Sequence, residues 1–202
     1  MKTLDEYLRE AEVAHGHLCA GQVLGVRLAL LGLRKLEISD PRGADRKRLV
    51  TFVEIDRCAT DAVALVTGCR LGKRALKFRD WGKMAATFLD VSSGRAVRIA
   101  ARESSKARAR ALHPELEDKN QQQMLAYREM PDEELFDCQP VKVTLPPEEF
   151  PGYKVERVVC EACGEGINFH REVRRGGKIL CRGCAGERYY QALEETGGGG
   201  TP

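Results

Sequence analysis

Four cysteines late in the chain restrict its fold more than any other feature. Cys160 and Cys163 stand two residues apart, seventeen residues follow, and Cys181 and Cys184 repeat the spacing. Two intervening residues let both thiolates of a pair turn toward one point, and neighbouring glycines let backbone N–H groups approach the sulfurs. Zn²⁺ takes four such ligands tetrahedrally, and this spacing falls in the zinc-ribbon and treble-clef range. A closed shell of four thiolates leaves no position for chemistry, so Zn²⁺ here is expected to be structural. His170, between the pairs, is not needed as a ligand. The run "AGERYYQALEE" after Cys184 reads as a helix, which with a hairpin turning at Gly176 and Gly177 predicts a treble-clef-like finger. "HREVRRGGK" is either a solvated hairpin tip or a contact for nucleic acid or an acidic partner.

A module of this kind needs only about fifty residues, and the chain has 202. The rest is long enough for one ordinary domain. "PPEEFPGY" packs three prolines and a glycine into eight residues and marks the boundary. The expected organisation is a core domain over 1–145, a Pro-rich linker over 146–154, a zinc finger over 155–196 and a disordered tail over 197–202. Thr3 and Glu6 have capping-box spacing ahead of a helix. "AGQVLGVRLALLGLRKL" is a second helix, apolar nearly all round, and therefore central. "LVTFVEID" reads as a strand, "ATDAVALVTG" as a helix closed by Gly68, and "KMAATFLDVSSGRAVRIAA" as two strands around a Ser-Ser-Gly turn. Residues 104–136 read as helical with a break at Pro114 and a restart near Pro131, and "VKVTL" as a last strand. The mixture lacks regular βαβ alternation. The expected class is α+β, a mixed helix and antiparallel-sheet core followed by the finger.

Net charge is only +3, which argues against a chain built chiefly to coat nucleic acid. The longest apolar stretch, interrupted by Arg27, is too short for a bilayer. "MKTLDEYLREAEV" carries charges where a signal peptide has its apolar region. The chain is therefore expected to be cytoplasmic, without membrane contact. In a reducing compartment its eight cysteines are metal ligands, catalytic groups or small core hydrophobes rather than a disulfide framework.

Cys19 lies in "HGHLC", where the first two helices meet, and Cys58 follows the "LVTFVEID" strand. In extended backbone, residues two apart face the same way. His17 with Cys19, and Asp56 with Cys58, thus offer imidazole, two thiolates and a carboxylate to one point. Either these residues hold a metal with an open position, as catalytic zinc sites do, or the cysteines are small buried hydrophobes and His15 closes the first helix. Cys69 is a further thiol nearby, and Cys138 beside Pro140 reads as structural. Basic residues gather over 70–83 and 95–110. They are a solvated face, a seat for an anionic substrate or cofactor, or a nucleic-acid face, with Lys73 the residue to test first.

The motifs "HGHLCAG", "EIDRCATDAVALVTGCRLGK" and "FRDWGKMAATF" together resemble the FmdE family, named from an operon encoding molybdenum formylmethanofuran dehydrogenase. The resemblance covers roughly residues 10–145, and some members carry a C-terminal zinc finger. It implies an α+β core that dimerises, with a metal-bearing cleft at the first two motifs. Proline usually follows the cysteine of the first motif, and Ala20 stands there instead, which touches the turn and not a ligand. On this reading His17, Cys19 and Cys58 bind a second divalent metal, again Zn²⁺. Asp56 is its fourth ligand, its orienting group or a general base, and His15 stands behind the ligands as a catalytic group with Asp56 and Lys73. The implied function is a metal-dependent enzyme or accessory component of C1 metabolism, with oxidoreductase and hydrolase-type chemistry both open. Its partners would be a second copy, a larger enzyme complex and a small anionic substrate. The alternative is a non-catalytic zinc-finger adaptor or nucleic-acid-binding regulator with a dimeric ligand-sensing core.

Overall fold

A computed structural model describes residues 1–193. The expected disordered tail and the last residues of the expected finger lie outside the described residues. The chain separates into two compact units. One comprises 1–145 with 150–152, and the other comprises 146–149 with the residues from 153 onward.

In the first unit α1 (Leu4–His15) opens on the expected capping box. The Thr3 N–H donates to Glu6 Oε2 at 2.7 Å and the Glu6 N–H to Thr3 Oγ1 at 3.3 Å. Gly16, left-handed at φ 89°, closes the helix. α2 (Ala20–Lys35) is buried on nearly every side, as its apolar sequence requires. It packs on α1 and against α3 (Cys58–Thr67), which ends at left-handed Gly68.

Five strands form one sheet: β1 (Leu49–Val53), β2 (Leu76–Phe78), β3 (Ala85–Asp90), β4 (Ala96–Ala101) and β5 (Phe136–Val141), in the order β2-β1-β3-β4-β5. β2 runs parallel to β1, and the other neighbours are antiparallel. Phe88 and Ile99 join the main core with the buried side chains of α2. Val50, Phe52, Leu89 and Ala96 form a second core with Val141, Val143 and Leu145. The helices α4 (Ser104–Leu112), α5 (Lys119–Glu129) and α6 (Asp132–Leu135) link β4 to β5.

Three strand expectations shift. β1 stops at Val53, so Asp56 lies in a loop and not at a strand end. β2 falls inside the basic stretch, where three residues are too few to show a pattern. The last strand spans Phe136–Val141 instead of 141–145. Pro140 is tolerated in it because β5 is an edge strand with no partner needed on its outer side. Among the described residues no helix is long and apolar enough to cross a membrane.

The α2–α3 approach depends on Gly25. A Cβ there would stand 2.5 Å from the Ala59 carbonyl oxygen and 2.7 Å from its Cα. Alanine favours a helix over glycine by about 1 kcal/mol, yet overpacking against fixed backbone costs about 1–3 kcal/mol. Gly25→Ala is therefore expected to lower the unfolding midpoint of this unit, and an unchanged or higher midpoint in a denaturant titration would refute the close approach.

In the second unit β6 (Val158–Val159) pairs with β7 (Gly166–Ile167), and β8 (Val173–Arg175) with β9 (Lys178–Leu180). The β8–β9 turn uses Gly176 at φ 57° and Gly177 at φ 78°, the doubly left-handed turn that twists with the strands. The long helix expected after Cys184 is absent from the described residues. A five-residue helical turn, Gly183–Glu187, breaks at Gly186 (φ 110°), and residues 188–193 are not helical. Gly186 at this φ breaks the helix that "AGERYYQALEE" was expected to form. The finger is thus a four-cysteine module built on two hairpins.

Candidate metal centres

The second unit brings Cys160, Cys163, Cys181 and Cys184 together, with all four sulfurs within 4.8 Å of one another. Cys163 and Cys181 sulfurs lie 3.9 Å apart, close to the edge of about 3.8 Å that a tetrahedron with Zn–S bonds of about 2.3 Å requires. Backbone N–H groups point at the sulfurs, from Cys181 to Cys160 at 3.2 Å and from Cys184 to Cys181 at 3.3 Å. The N–H groups of Cys181, Cys163 and Ala162 pull the Cys160 thiol down to about 6. Cys163 goes the other way. The Glu165 N–H favours its thiolate, but the neighbouring thiols outweigh that and push it up to about 12. Four sulfurs this close repel as thiolates, and a divalent cation relieves the repulsion. Glu161 locks the first knuckle to β9 through two 2.8 Å bonds with Ile179, one from each backbone N–H. This donor set fits zinc.

The first unit gathers a second group at the junction of α1, α2 and α3. His15, His17 and Cys19 each place a ligand atom within 4.8 Å of the others. The two imidazole centroids are 5.0 Å apart. Cys19 is the N-cap residue of α2 but makes no side-chain cap bond. The cap is supplied from α5, where Asn120 Oδ1 accepts the Ala20 N–H at 3.0 Å. The Cys19 thiol is thereby left for other work. Cys58 opens α3, so two thiols sit at two helix N-termini. Gly21 lies between them; a Cβ there would meet Cys58 Cβ at 3.3 Å and Cys19 Sγ at 3.7 Å. Burial pushes the Cys58 thiol up, and a hydrogen bond and charge interaction with Cys19 add to the shift. Gln22, buried, donates to the Cys58 carbonyl at 3.0 Å and ties the two helix starts together.

The expected residues separate into those that meet and those that do not. His15 stands beside His17 and Cys19 rather than behind them. Asp61 takes the orienting position, its carboxylate 3.2 Å from His15 Nδ1. That contact holds the ring with Nε2 outward, as second carboxylates do for metal-bound histidines. Asp56 stands outside the His15–His17–Cys19 group. It is exposed and lines a cavity of about 470 Å³ with His15, Cys58, Asp61 and the apolar Leu76 and Phe78. Lys73 lines a different cavity and is exposed. Cys69 is buried, 3.5 Å from Thr51 Oγ1, and points into the core. Cys138 is an exposed residue of β5.

Sequence reasoning missed Asp61, Gln22 and Asn120. Asp61 had a signal, since it follows Cys58 by one helical turn. Asn120 had none, being a hundred residues from the helix it caps.

Residues 152–190 match the prokaryotic dksA/traR C4-type zinc finger. The chain is 30% identical, over 92% of its length, to a protein of Archaeoglobus fulgidus named "Probable S-adenosyl-L-methionine-binding protein", and spans about half the length of that relative (54%). Its fold is similar to the crystal structure of a tungsten formylmethanofuran dehydrogenase FmdE-like protein from Syntrophus aciditrophicus. The TM-score is 0.63 at 23% identity, covering 94% of this chain and 96% of that one. Residues 14–137 match the family described as FmdE, molybdenum formylmethanofuran dehydrogenase operon, and with that match over more than half its length the chain belongs to the FmdE family.

Proposed function

We propose that the first unit is a metal-dependent catalytic or accessory domain that works as a homodimer in the cytoplasm, and that the second is a structural zinc finger. The observation that carries the reading is the convergence of His15, His17 and Cys19 within 4.8 Å, with the Cys58 thiol interacting with Cys19, beside an open cavity. A mixed set of nitrogen and sulfur ligands facing a cavity differs from the closed four-thiol shell of the finger and suits a site with a free position. A divalent ion held there would supply Lewis acidity to a substrate in the cavity. The chain's own groups would divide the remaining work. Asp61 orients His15. Leu76 and Phe78 keep one wall apolar and exclude water. Asp56, exposed in the same cavity, is placed to take or return a proton. The link to C1 metabolism follows from the family and belongs to this proposal, as does docking to a larger enzyme complex.

Elemental analysis of the full-length protein tests it. About two metal ions per chain are expected, one per ligand set. Cys58→Ser or His17→Ala is expected to leave about one, and Asp61→Asn to weaken the core site by about 10–100-fold. Retention of only the finger's ion by the unaltered protein would sink the reading.

The Archaeoglobus relative's name favours a second reading, binding of S-adenosyl-L-methionine. The cavity beside the metal group pairs an apolar wall with the carboxylates Asp56 and Asp61, which complement a sulfonium and an ammonium. Equilibrium dialysis with the labelled compound would show binding that Asp56→Asn weakens; no retained label would remove this reading.

A further inference from the structure

Another cavity of the first unit lies apart from the one beside the metal group. It measures about 750 Å³ and is lined by Arg42, Arg46, Lys47, Arg70 and Lys73 over an apolar floor that includes Ala64, Leu65 and Ala75. Among the described residues no acidic side chain lines it. Arg42 is already used. Its Nε donates to the Leu65 carbonyl at 2.9 Å and its Nη2 pairs with Glu10 at 3.0 Å. It thus neutralises the carbonyl end of α3, which would otherwise repel an anion. The other four cations form no ion pair among the described residues. This differs from the rest of the unit, where Arg27, Arg34, Arg48, Arg95, Arg98 and Arg102 all meet carboxylates. Four unpaired cations gathered over a concave, partly apolar surface are the arrangement expected of an anion site rather than of a solvated face.

We infer that this cavity binds the diphosphate-like end of an elongated small molecule. One carboxylate would leave most of the positive charge unbalanced. A diphosphate carries about three negative charges near neutrality, and the arginine forks of Arg46 and Arg70 match its oxygens. The apolar floor takes the organic body. The position relative to α3 extends the argument. Gly68, Leu65 and Ala64 line the basic cavity; Leu65, Ala64 and Asp61 line a smaller one of about 250 Å³ with His15 and Arg70; Asp61, Thr60 and Cys58 line the cavity beside the metal group. One face of a single helix therefore runs beneath all three, and at 1.5 Å per residue it spans about 15 Å from Cys58 to Gly68. A ligand anchored by its phosphates at Arg46, Lys47, Arg70 and Lys73 presents its far end to Cys19 and Cys58. The assignment of that far end as the reacting end rests on the metal-centre proposal, whereas the anion site stands without it.

Calorimetric titration of the full-length protein with inorganic pyrophosphate tests the site. One pyrophosphate per chain is expected to bind, less tightly as salt rises. Arg70→Ala and Lys73→Ala are each expected to raise the Kd at least about 10-fold, with the unfolding transition followed by Trp81 fluorescence unchanged. Cys58→Ser is expected to bind pyrophosphate as the unaltered protein does, which separates this site from the metal centre. Absence of binding, or equal binding by Arg70→Ala and Lys73→Ala, overturns the inference. So does displacement of pyrophosphate by a short DNA duplex of arbitrary sequence at equal phosphate concentration, which would make the surface a nucleic-acid face.

Discussion

Replacing Cys160 by serine, or stripping zinc with a chelator, is expected to unfold the second unit outright. Among its described residues only Cys160 and Ile167 are buried. Two short hairpins of two and three residues per strand cannot stand alone. The hydrophobic term that holds an ordinary domain together is nearly missing, and zinc coordination replaces it. Binding free energy of about 10–16 kcal/mol for a structural zinc is then folding free energy. Limited proteolysis should cut the Cys160→Ser chain within residues 153–193 while the unaltered protein resists. The sole tryptophan, Trp81, belongs to the first unit. Its fluorescence transition is expected to keep its midpoint in Cys160→Ser. Protease resistance of the zinc-free finger would show that some other force holds it.

Truncation of Arg98 to alanine should be the most damaging single change in the sheet. Glu54 follows β1, its side chain only 3% exposed, and Arg98 on β4 meets it with two parallel bonds of 2.7 Å. The Glu54 hydrogen bond raises the Arg98 pKa further above its ordinary value. Removing the guanidinium leaves a carboxylate buried without a partner, and such a loss costs about 3–5 kcal/mol. Glu54 also accepts the Trp81 and Lys83 N–H groups on its carbonyl, at 3.2 and 3.1 Å. It therefore joins β1, β4 and the 79–83 loop just before the chain turns to Asp56 and Cys58. Urea unfolding read at Trp81 should show the full cost in Arg98→Ala and much less in the double variant Glu54→Gln with Arg98→Met, which removes the charge with its partner. A single-variant loss under about 1 kcal/mol would mean that water reaches Glu54 and solvates it.

Much of the candidate site was legible as local pattern. The capping box at Thr3 and Glu6, the apolar run of α2 and the Gly68 stop follow from spacings of three and four residues, and the structure forms each of them. The boundaries that shifted were those where local pattern is weakest. β2 is three residues long, and β5 carries a proline that an edge position alone makes acceptable. The helix expected over "AGERYYQALEE" shows the converse limit, since residues 188–193 do not adopt it.

The sequence by itself determined the groups whose members are close along the chain. Cys-x2-Cys pairs chelate, His-Gly-His-x-Cys brings three ligand atoms together over five residues, and both results follow from backbone reach across one turn. Tertiary structure decided what depends on closing long loops. It brought Cys58 to Cys19 through the Gly25 contact, assigned the α2 cap to Asn120, set Asp61 behind His15, buried Glu54 on Arg98, and aligned the basic cavity with the metal group along one helix. Side-chain pattern specifies which face of an element is apolar. The packing of those faces, satisfied at once over the whole core, specifies which polar groups are left to meet in the clefts between them.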